Sequence, residues 1–541
     1  MDRRRFLTAA AATGALTLGS ATRAGARPST RPSTRPSGRP RAAGGPYDAV
    51  VYGATLAGIM AALRLAGRGY RSLVLEPTGH PGGVVAGGLV KTDIPNDIRA
   101  LAGLTHTSFF NAIGAHYGVG SPAQYRFEPK VAEDIARSLL DQAGATVVYG
   151  HRLRGPADVT VTGKRITAVR TPDGWVRARF FVDASYEGDL MAAAKVPYTV
   201  GRESAAEYGE PHAGFRSDTV LRIGDFTPNT GYPVGPVPVT PLGAADEKVM
   251  AYNFRGVLTR SADRLPFPKP DGYDPDTFLH LKQLIDFRGV TGLTQLVGTT
   301  AAIPGDKYQT NQGPFIGLDL PGAGWDYPDG TWERRDEVIA EHVRWHQGQL
   351  YFMANDPSLP ESFRADTRSW GLPADEFTDS PYGAGFPHAL YVREGRRMKG
   401  AHVLTEHDLL APGNTKTTSV ACWKYGMDCH TVQYYPEGDR LIVGEGSLTG
   451  TTSNVPVDLY QIPAECLFPA AGSVDNIAVP VCFSASHIGY TSPRMEPDFG
   501  MLGEAAGELA AQSIERDQAV QSYRYADLAT ALTEHGSVLS L

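Results

Sequence analysis

The sequence predicts an α/β fold: a dinucleotide-binding sheet assembled from two separated stretches of chain, with a further domain inserted between them. Three observations predict it. A strand, a glycine turn, a helix and a second strand ending in an acid follow one another over residues 47–76. A three-stranded meander then follows, its last strand "WVRARFFVDAS" ending at residues 182–185. Near the C-terminus, residues 476–515 read as a strand, a polar loop and a helix carrying a stripe of small residues.

Taken in order, residues 1–26 read as an export signal. Arg3-Arg4-Arg5-Phe6-Leu7 precedes a weakly apolar stretch of small residues, and Ala24-Gly25-Ala26 has the form of a cleavage site. Arg-Arg-x-Phe-Leu resembles the twin-arginine signal; an ordinary secretory signal with extra arginines is the alternative. Residues 27–46 repeat Arg, Pro, Ser and Thr, have nothing to bury, and predict a disordered, semi-extended linker.

The folded part is expected to start at Tyr47. "DAVVYG" is a short buried strand, and the helix after it turns Ile59, Leu63 and Leu65 inward before Gly67 and Gly69 end it. Between them lie Gly53, Ala54, Thr55, Leu56, Ala57 and Gly58. This is the G-x-G-x-x-G turn with Thr55 in place of the middle glycine, which normally lets backbone approach a pyrophosphate. A threonine hydroxyl can instead donate to a phosphate oxygen. "RSLVLE" is the second strand. Its Glu76 follows Gly58 by 18 positions, near the ~20 expected for the acid that binds ribose hydroxyls. The alternative is an ordinary βαβ unit with a surface glutamate.

The residues after Glu76 separate flavin from nicotinamide. Gly82-Gly83 and Gly87-Gly88 form a glycine-rich loop where a nicotinamide domain usually enters another helix. Such a loop lets backbone approach a large flat ligand. His80 and Asp93 flank it, to touch the flavin or to cap a turn; His80 is also a candidate covalent tether. After a helix over "KVAEDIARSLLDQAG" and a strand over "ATVVYGHRL", turn signals at Gly163-Lys164 and Pro172-Asp173-Gly174 mark the meander. It delivers Asp183, Gly188 and Asp189. At the far end Gly503, Ala506, Gly507 and Ala510 line one helix face. The helix start near Pro497–Gly500 carries about half a positive charge, suited to the pyrimidine end of a reduced flavin.

Together "GATLAGI", "GHPGGVVAGGLVKTD", "YRFEPKVAEDI", "VDASYEGDLMAAAKVPYTVGRE", "KYQTNQGPF", "ALYVREGRRMKGAHVLTEHDL", "DCHTVQYY" and "CFSASHIGYTSPRMEPDFGMLGEAAGELAA" resemble the FAD-dependent oxidoreductases grouped with heterodisulfide reductase A-like proteins. Some members of that group carry a xanthan-lyase label. The resemblance implies a bound FAD and a glutathione-reductase-like, two-part FAD-binding Rossmann domain with an inserted substrate domain. The expected divisions are 47–200 and 401–515 for the two parts, 201–400 for the insertion and 516–541 for a tail. Thr55 is usual for such proteins.

The cofactor-binding candidates are Gly53, Thr55, Ala57, Gly58, Glu76, Gly82, Gly83, Gly88, Asp183, Gly188, Asp189, Gly500 and Gly503. Oxidation by a flavin needs a positioned hydride donor, a base for the substrate proton and positive charge near the reduced ring. His487 is the first candidate base, since imidazole titrates in the useful range; a structural histidine bonding its loop is the alternative. Arg494 offsets charge or grips a substrate oxygen and Glu496 orients it, unless the two form a structural ion pair. Arg393 and Arg396 point at an oxygen-rich substrate, unless residues 393–397 are a solvated charge run. His430 is a further pocket candidate. Trp325, Tyr327, Trp332, Trp345, Tyr351, Phe352 and Trp370 offer sugar-stacking rings or, more ordinarily, core.

The expected activity is hydride transfer from a small polyhydroxylated or carbohydrate-like substrate to flavin, with an unspecified electron acceptor. The rival is a non-redox polysaccharide-active protein, a lyase or a binding module, on a flavoprotein-like fold. The chain carries a net charge of -7, and -15 without the arginine-rich first 46 residues. That argues against nucleic acid and anionic membranes as partners. No other apolar run is long enough to span a bilayer. Cys422, Cys429, Cys466 and Cys482 have neither C-x-x-C spacing nor a close set of four, so no iron–sulfur or zinc site is expected; export permits a disulfide.

Overall fold

The computed structural model describes residues 47–541 apart from 94–100, 121–122, 218–219, 225–232, 299–300, 313–316, 439–440 and 449–456. The expected signal and linker lie outside the described residues.

A parallel five-stranded sheet forms the centre. Its spatial order is Ile477–Ala478, Phe180–Asp183, Ala49–Tyr52, Ser72–Leu75 and Thr146–Val148. Read from the far edge this is 3-2-1-4-5 in chain order, the doubly wound arrangement that places a ligand beyond the carboxyl ends of the central strands. Tyr52 pairs with Leu75 on one side and Asp183 on the other, so Gly53, Glu76 and Ala184 leave the sheet together. All residues of Ala49–Tyr52 and Phe180–Asp183 are buried, as expected for strands covered on both faces.

The helix Leu56–Gly67 packs on one face against Glu496–Arg516. Small residues set that approach. A Cβ on Gly503 would overlap the Ala57 carbonyl, and one on Gly507 would lie 2.7 Å from the Ala61 carbonyl. Ile59 and Leu65 are buried as expected, with Leu63 half-buried.

The meander is an antiparallel sheet of Val159–Thr162, Arg165–Thr171 and Gly174–Arg177. The stretch expected as its single last strand divides: Gly174–Arg177 stays in the meander, and Phe180–Asp183 enters the parallel sheet. The apolar run 180–182 is what the two-faced sheet buries.

A second core lies in the inserted region around the helix Trp332–Asn355. Trp345, Phe352, Trp370 and Tyr327 belong to it, and Trp332 is buried as well. Trp345, Phe352 and Trp370 are core, while Tyr327 and Trp332, though buried, also line a cleft. The insertion is stitched to the segment after it. Val220–Gly224 pairs with Leu441–Glu445, and Tyr198–Thr199 with Arg397–Met398. The final residues do not form a free tail: Val520, Leu528 and Leu532 join the main core, the latter two from the helix Tyr525–Thr533. All four cysteines are buried and free, so the disulfide that export would allow is absent. No described helix is long and apolar enough to cross a membrane.

Candidate active site

The strand Ala49–Tyr52 ends in Gly53 at φ +99, where a Cβ would lie 2.8 Å from the Ala184 and Ser185 backbone. A Cβ on Gly58 would overlap the Gly53 carbonyl. The two glycines therefore make a turn that side chains would block. Thr55 caps the helix, accepting from the Gly58 amide at 3.3 Å and donating to the Ala184 carbonyl at 2.7 Å. Its only proton is given to protein. That corrects the expectation that it donates to a phosphate; the hydroxyl staples the turn to the next strand instead. Glu76 accepts from the Ala54 amide at 2.6 Å and from the Thr78 amide and hydroxyl at 2.7 Å each. Burial raises its carboxyl above the ordinary range against these bonds.

A cleft opens here, lined by Gly53, Thr55, Glu76, Gly83, Ser185 and Tyr186 among others.

Several candidates serve packing rather than the cleft. Gly82 donates to the Ala54 carbonyl at 2.7 Å and braces the first turn. A Cβ on Gly88 would overlap the Arg255 carbonyl, so this glycine admits the inserted region and not a ligand. Gly188 sits against Met191 and Cys482, Gly500 against Thr105 and Leu56, and Ala57 and Gly503 against each other. Asp183 accepts from Ser185 and the Met191 amide, and burial lifts its carboxyl to about 6. Asp189 is gripped by Arg335 at 2.8 Å and Arg396 at 2.8 Å. These positions looked ligand-facing because close backbone approach has the same glycine signature whether a cofactor or protein makes it.

The far side of the site is a buried charge network. The charged run 393–397 is not solvated; Arg393, Glu394, Arg396 and Arg397 are all buried. Arg393 pairs with Asp319 at 2.9 Å, and the other oxygen of Asp319 meets His430 Nδ1 at 2.6 Å. His430 Nε2 lies 3.6 Å from Asp428, which pairs with Arg494 at 3.0 Å. The cations and His430 hold Asp319 down at about 2 although burial opposes them. Arg494 also donates to the Tyr391 hydroxyl at 3.1 Å. Glu496 does not pair with Arg494. It accepts from the Tyr186 hydroxyl at 2.7 Å, and its second oxygen is buried without a partner. Burial pushes Glu496 up to about 8. Tyr186 accepts from the Val84 amide at 3.0 Å, and Tyr186, Val84, Leu89 and Tyr391 pack together. This links the network to the cleft wall.

His487 stands apart from the expected role of base. Its Nδ1 meets Glu394 at 2.8 Å and its Nε2 lies 3.4 Å from the Cys429 sulfur. Burial alone would lower the imidazole, but Glu394 and Cys429 lift it to about 10. A ring that keeps its proton at neutral pH cannot accept another. Asp319, Asp428, Glu394, Cys429, Tyr186 and Tyr391 were missed from sequence. Asp428 and Cys429 adjoin His430 in "DCHTVQYY" and Glu394 lies inside the charged run 393–397, whereas Asp319 stands on a separate segment without a local signal.

The residues present fit a flavin dinucleotide. The Gly53–Gly58 turn is closed to side chains, Glu76 stands at the cleft wall, and the second oxygen of the Glu496 carboxyl is buried without a partner, free to hydrogen-bond a polar chain. Fold and site together define a Rossmann-like, FAD-binding oxidoreductase. The chain belongs to the FAD dependent oxidoreductase family, whose model matches residues 48–532. It is an FAD-dependent enzyme. No curated protein matches the chain. Among solved structures it is similar to the myxobacterial chondrochloren halogenase CndH, at 19% identity and TM-score 0.22 over 29% of this chain and 41% of that one. It is also similar to the anhydrotetracycline hydroxylase OxyS from Streptomyces rimosus, at 16% identity and TM-score 0.21 over 33% and 42%. The thioredoxin reductase of T. acidophilum matches at 19% identity and TM-score 0.16 over 25% and 34%. This chain thus spans less than half of each of those three.

Proposed function

We propose that this protein is exported folded by the twin-arginine route and oxidises a small polyhydroxylated or carbohydrate-derived substrate. The arrangement would be a glutathione-reductase-like, two-part FAD domain whose insertion completes the substrate side. The observation that carries this reading is the buried chain Arg393–Asp319–His430–Asp428–Arg494 beside the cleft wall.

FAD, when bound, supplies a two-electron acceptor. Gly53, Gly58, Glu76 and the Glu496 carboxyl hold it. Asp319 fixes the His430 ring through Nδ1, and a substrate hydroxyl that displaces Asp428 from its 3.6 Å contact with Nε2 would give its proton there. Arg494 and Arg393 place positive charge where oxygen-rich groups gather. His487, held as a cation by Glu394, fixes the loop and adds to that field. The export reading rests on Arg3-Arg4-Arg5-Phe6-Leu7.

The test starts with the visible spectrum of the purified protein, followed by anaerobic titration with sugars, alditols and uronic acids. A substrate of this class bleaches the flavin. His430→Gln slows bleaching by about 10²–10⁴-fold with flavin content unchanged. A polysaccharide cleaved without bleaching would favour the lyase reading instead. Colour left in an acid pellet would mark a covalent link, and colour in the supernatant a non-covalent one.

A further inference from the structure

No zinc-like spacing is visible in the sequence, yet folding brings two sets of donor residues together. One is Glu128, Asp375 and Glu376. Its cation place is taken: Lys307 Nζ lies 2.6, 2.8 and 2.5 Å from the three carboxylates. The other is His80, Glu133 and His388, with one donor atom from each within 4.8 Å of the others. Among the described residues no lysine is bound by these three, and the cation beside them is Arg137, on Glu133.

His80 follows the strand Ser72–Leu75, Glu133 lies on the helix Pro129–Gln142, and His388 comes from the inserted region. His80 Nδ1 meets Glu133 Oε1 at 3.1 Å. The imidazoles of His80 and His388 stack with centroids 3.8 Å apart and planes 18° from parallel. His388 is only 8% exposed, and neither of its ring nitrogens has a hydrogen-bond partner among the described residues. His80 and His388 both line the cleft assigned to FAD, which leaves one coordination position facing that cleft. Asp379 lies near enough to favour positive charge on both rings. Arg137 opposes, since it also donates to Glu133 Oε1, leaving Oε2 for a ligand bond.

We propose that His80, Glu133 and His388 bind a divalent transition-metal ion, with zinc(II) the best chemical match. Two imidazoles and one carboxylate with an open fourth position suit it. Bond lengths of ~2.0–2.2 Å put tetrahedral donors about 3.4 Å apart, so the set contracts by an ångström or so and the stacked rings tilt apart. His388 breaks no hydrogen bond in doing so. The ion would tie the inserted region to the FAD-binding half across the cleft.

The experiment is equilibrium dialysis of the EDTA-treated flavoprotein against zinc(II), with metal counted by mass spectrometry and affinity measured by calorimetry. One zinc per chain is expected. Removing a second-layer partner of a metal site costs 10–100-fold in affinity, so loss of a direct ligand in His388→Ala or Glu133→Gln should cost about 100-fold or more. Should His388→Ala fail to fold, His388→Gln and Glu133→Gln carry the test, with far-UV circular dichroism as the control. Wild-type protein that takes up no zinc, or zinc retained unchanged in the variants, overturns the proposal. Both results are independent of whether a sugar bleaches the flavin.

Discussion

Thr55 shows how one residue reads differently in sequence and in space. In the motif it replaces a glycine; in the fold its hydroxyl accepts from Gly58 and donates to Ala184. Thr55→Ala removes the helix cap and the bond to the neighbouring strand, and should cost about 1–2 kcal/mol. Thr55→Ser should keep most of it. Denaturant unfolding of the two variants measures the difference. Glu496 sets a second prediction. Its carboxyl is raised from 4.5 to about 8 in the fold, so the folded state holds a proton that the unfolded chain releases. Stability of the flavin-free protein therefore falls as pH rises from 4.5 to 8. Glu496→Gln should flatten that fall, read from denaturant midpoints across the window.

At the scale of elements, the contact between the helices Leu56–Gly67 and Glu496–Arg516 governs the site, because the first presents the glycine turn and the second begins at Glu496. Gly503 is the tightest point of that contact, facing the Ala57 backbone. Gly503→Ala should force the helices apart and cost about 1–3 kcal/mol, with loss of bound flavin. Gly67→Ala is the matched control. No atom lies within 4 Å of its added Cβ, so it should be neutral or gain about 0.5 kcal/mol of helix propensity. Thermal unfolding and flavin retention of the pair decide it. The small-residue stripe was legible in sequence because helix packing depends on a local spacing. The division of "WVRARFFVDAS" between two sheets was not, because a strand pattern does not name its partner.

Over the whole molecule, the insertion is held to the FAD-binding half by buried ion pairs. Asp189, on the short helix after Phe180–Asp183, receives Arg335 from the long inserted helix and Arg396 from near its end. Asp189→Asn leaves two buried arginines short of a counter-charge and should cost about 3–5 kcal/mol. Faster hydrogen exchange across 332–355 than in the parallel sheet would locate the loss. Equal exchange in both would mean that Asp189 does not join the two parts.

The sequence by itself determined the parallel dinucleotide-binding core, the glycine turn, Glu76 and the helix that packs on Leu56–Gly67. Each is written in residues close along the chain, where periodicity and backbone freedom leave a mark. The tertiary structure alone decided which glycines face the cleft, that His487 is held between Glu394 and Cys429, that His430 is oriented by Asp319, and that His80, Glu133 and His388 meet. Those outcomes depend on groups tens to hundreds of residues apart and on how deeply each is buried. Desolvation and pairing act through space, so no local pattern records them.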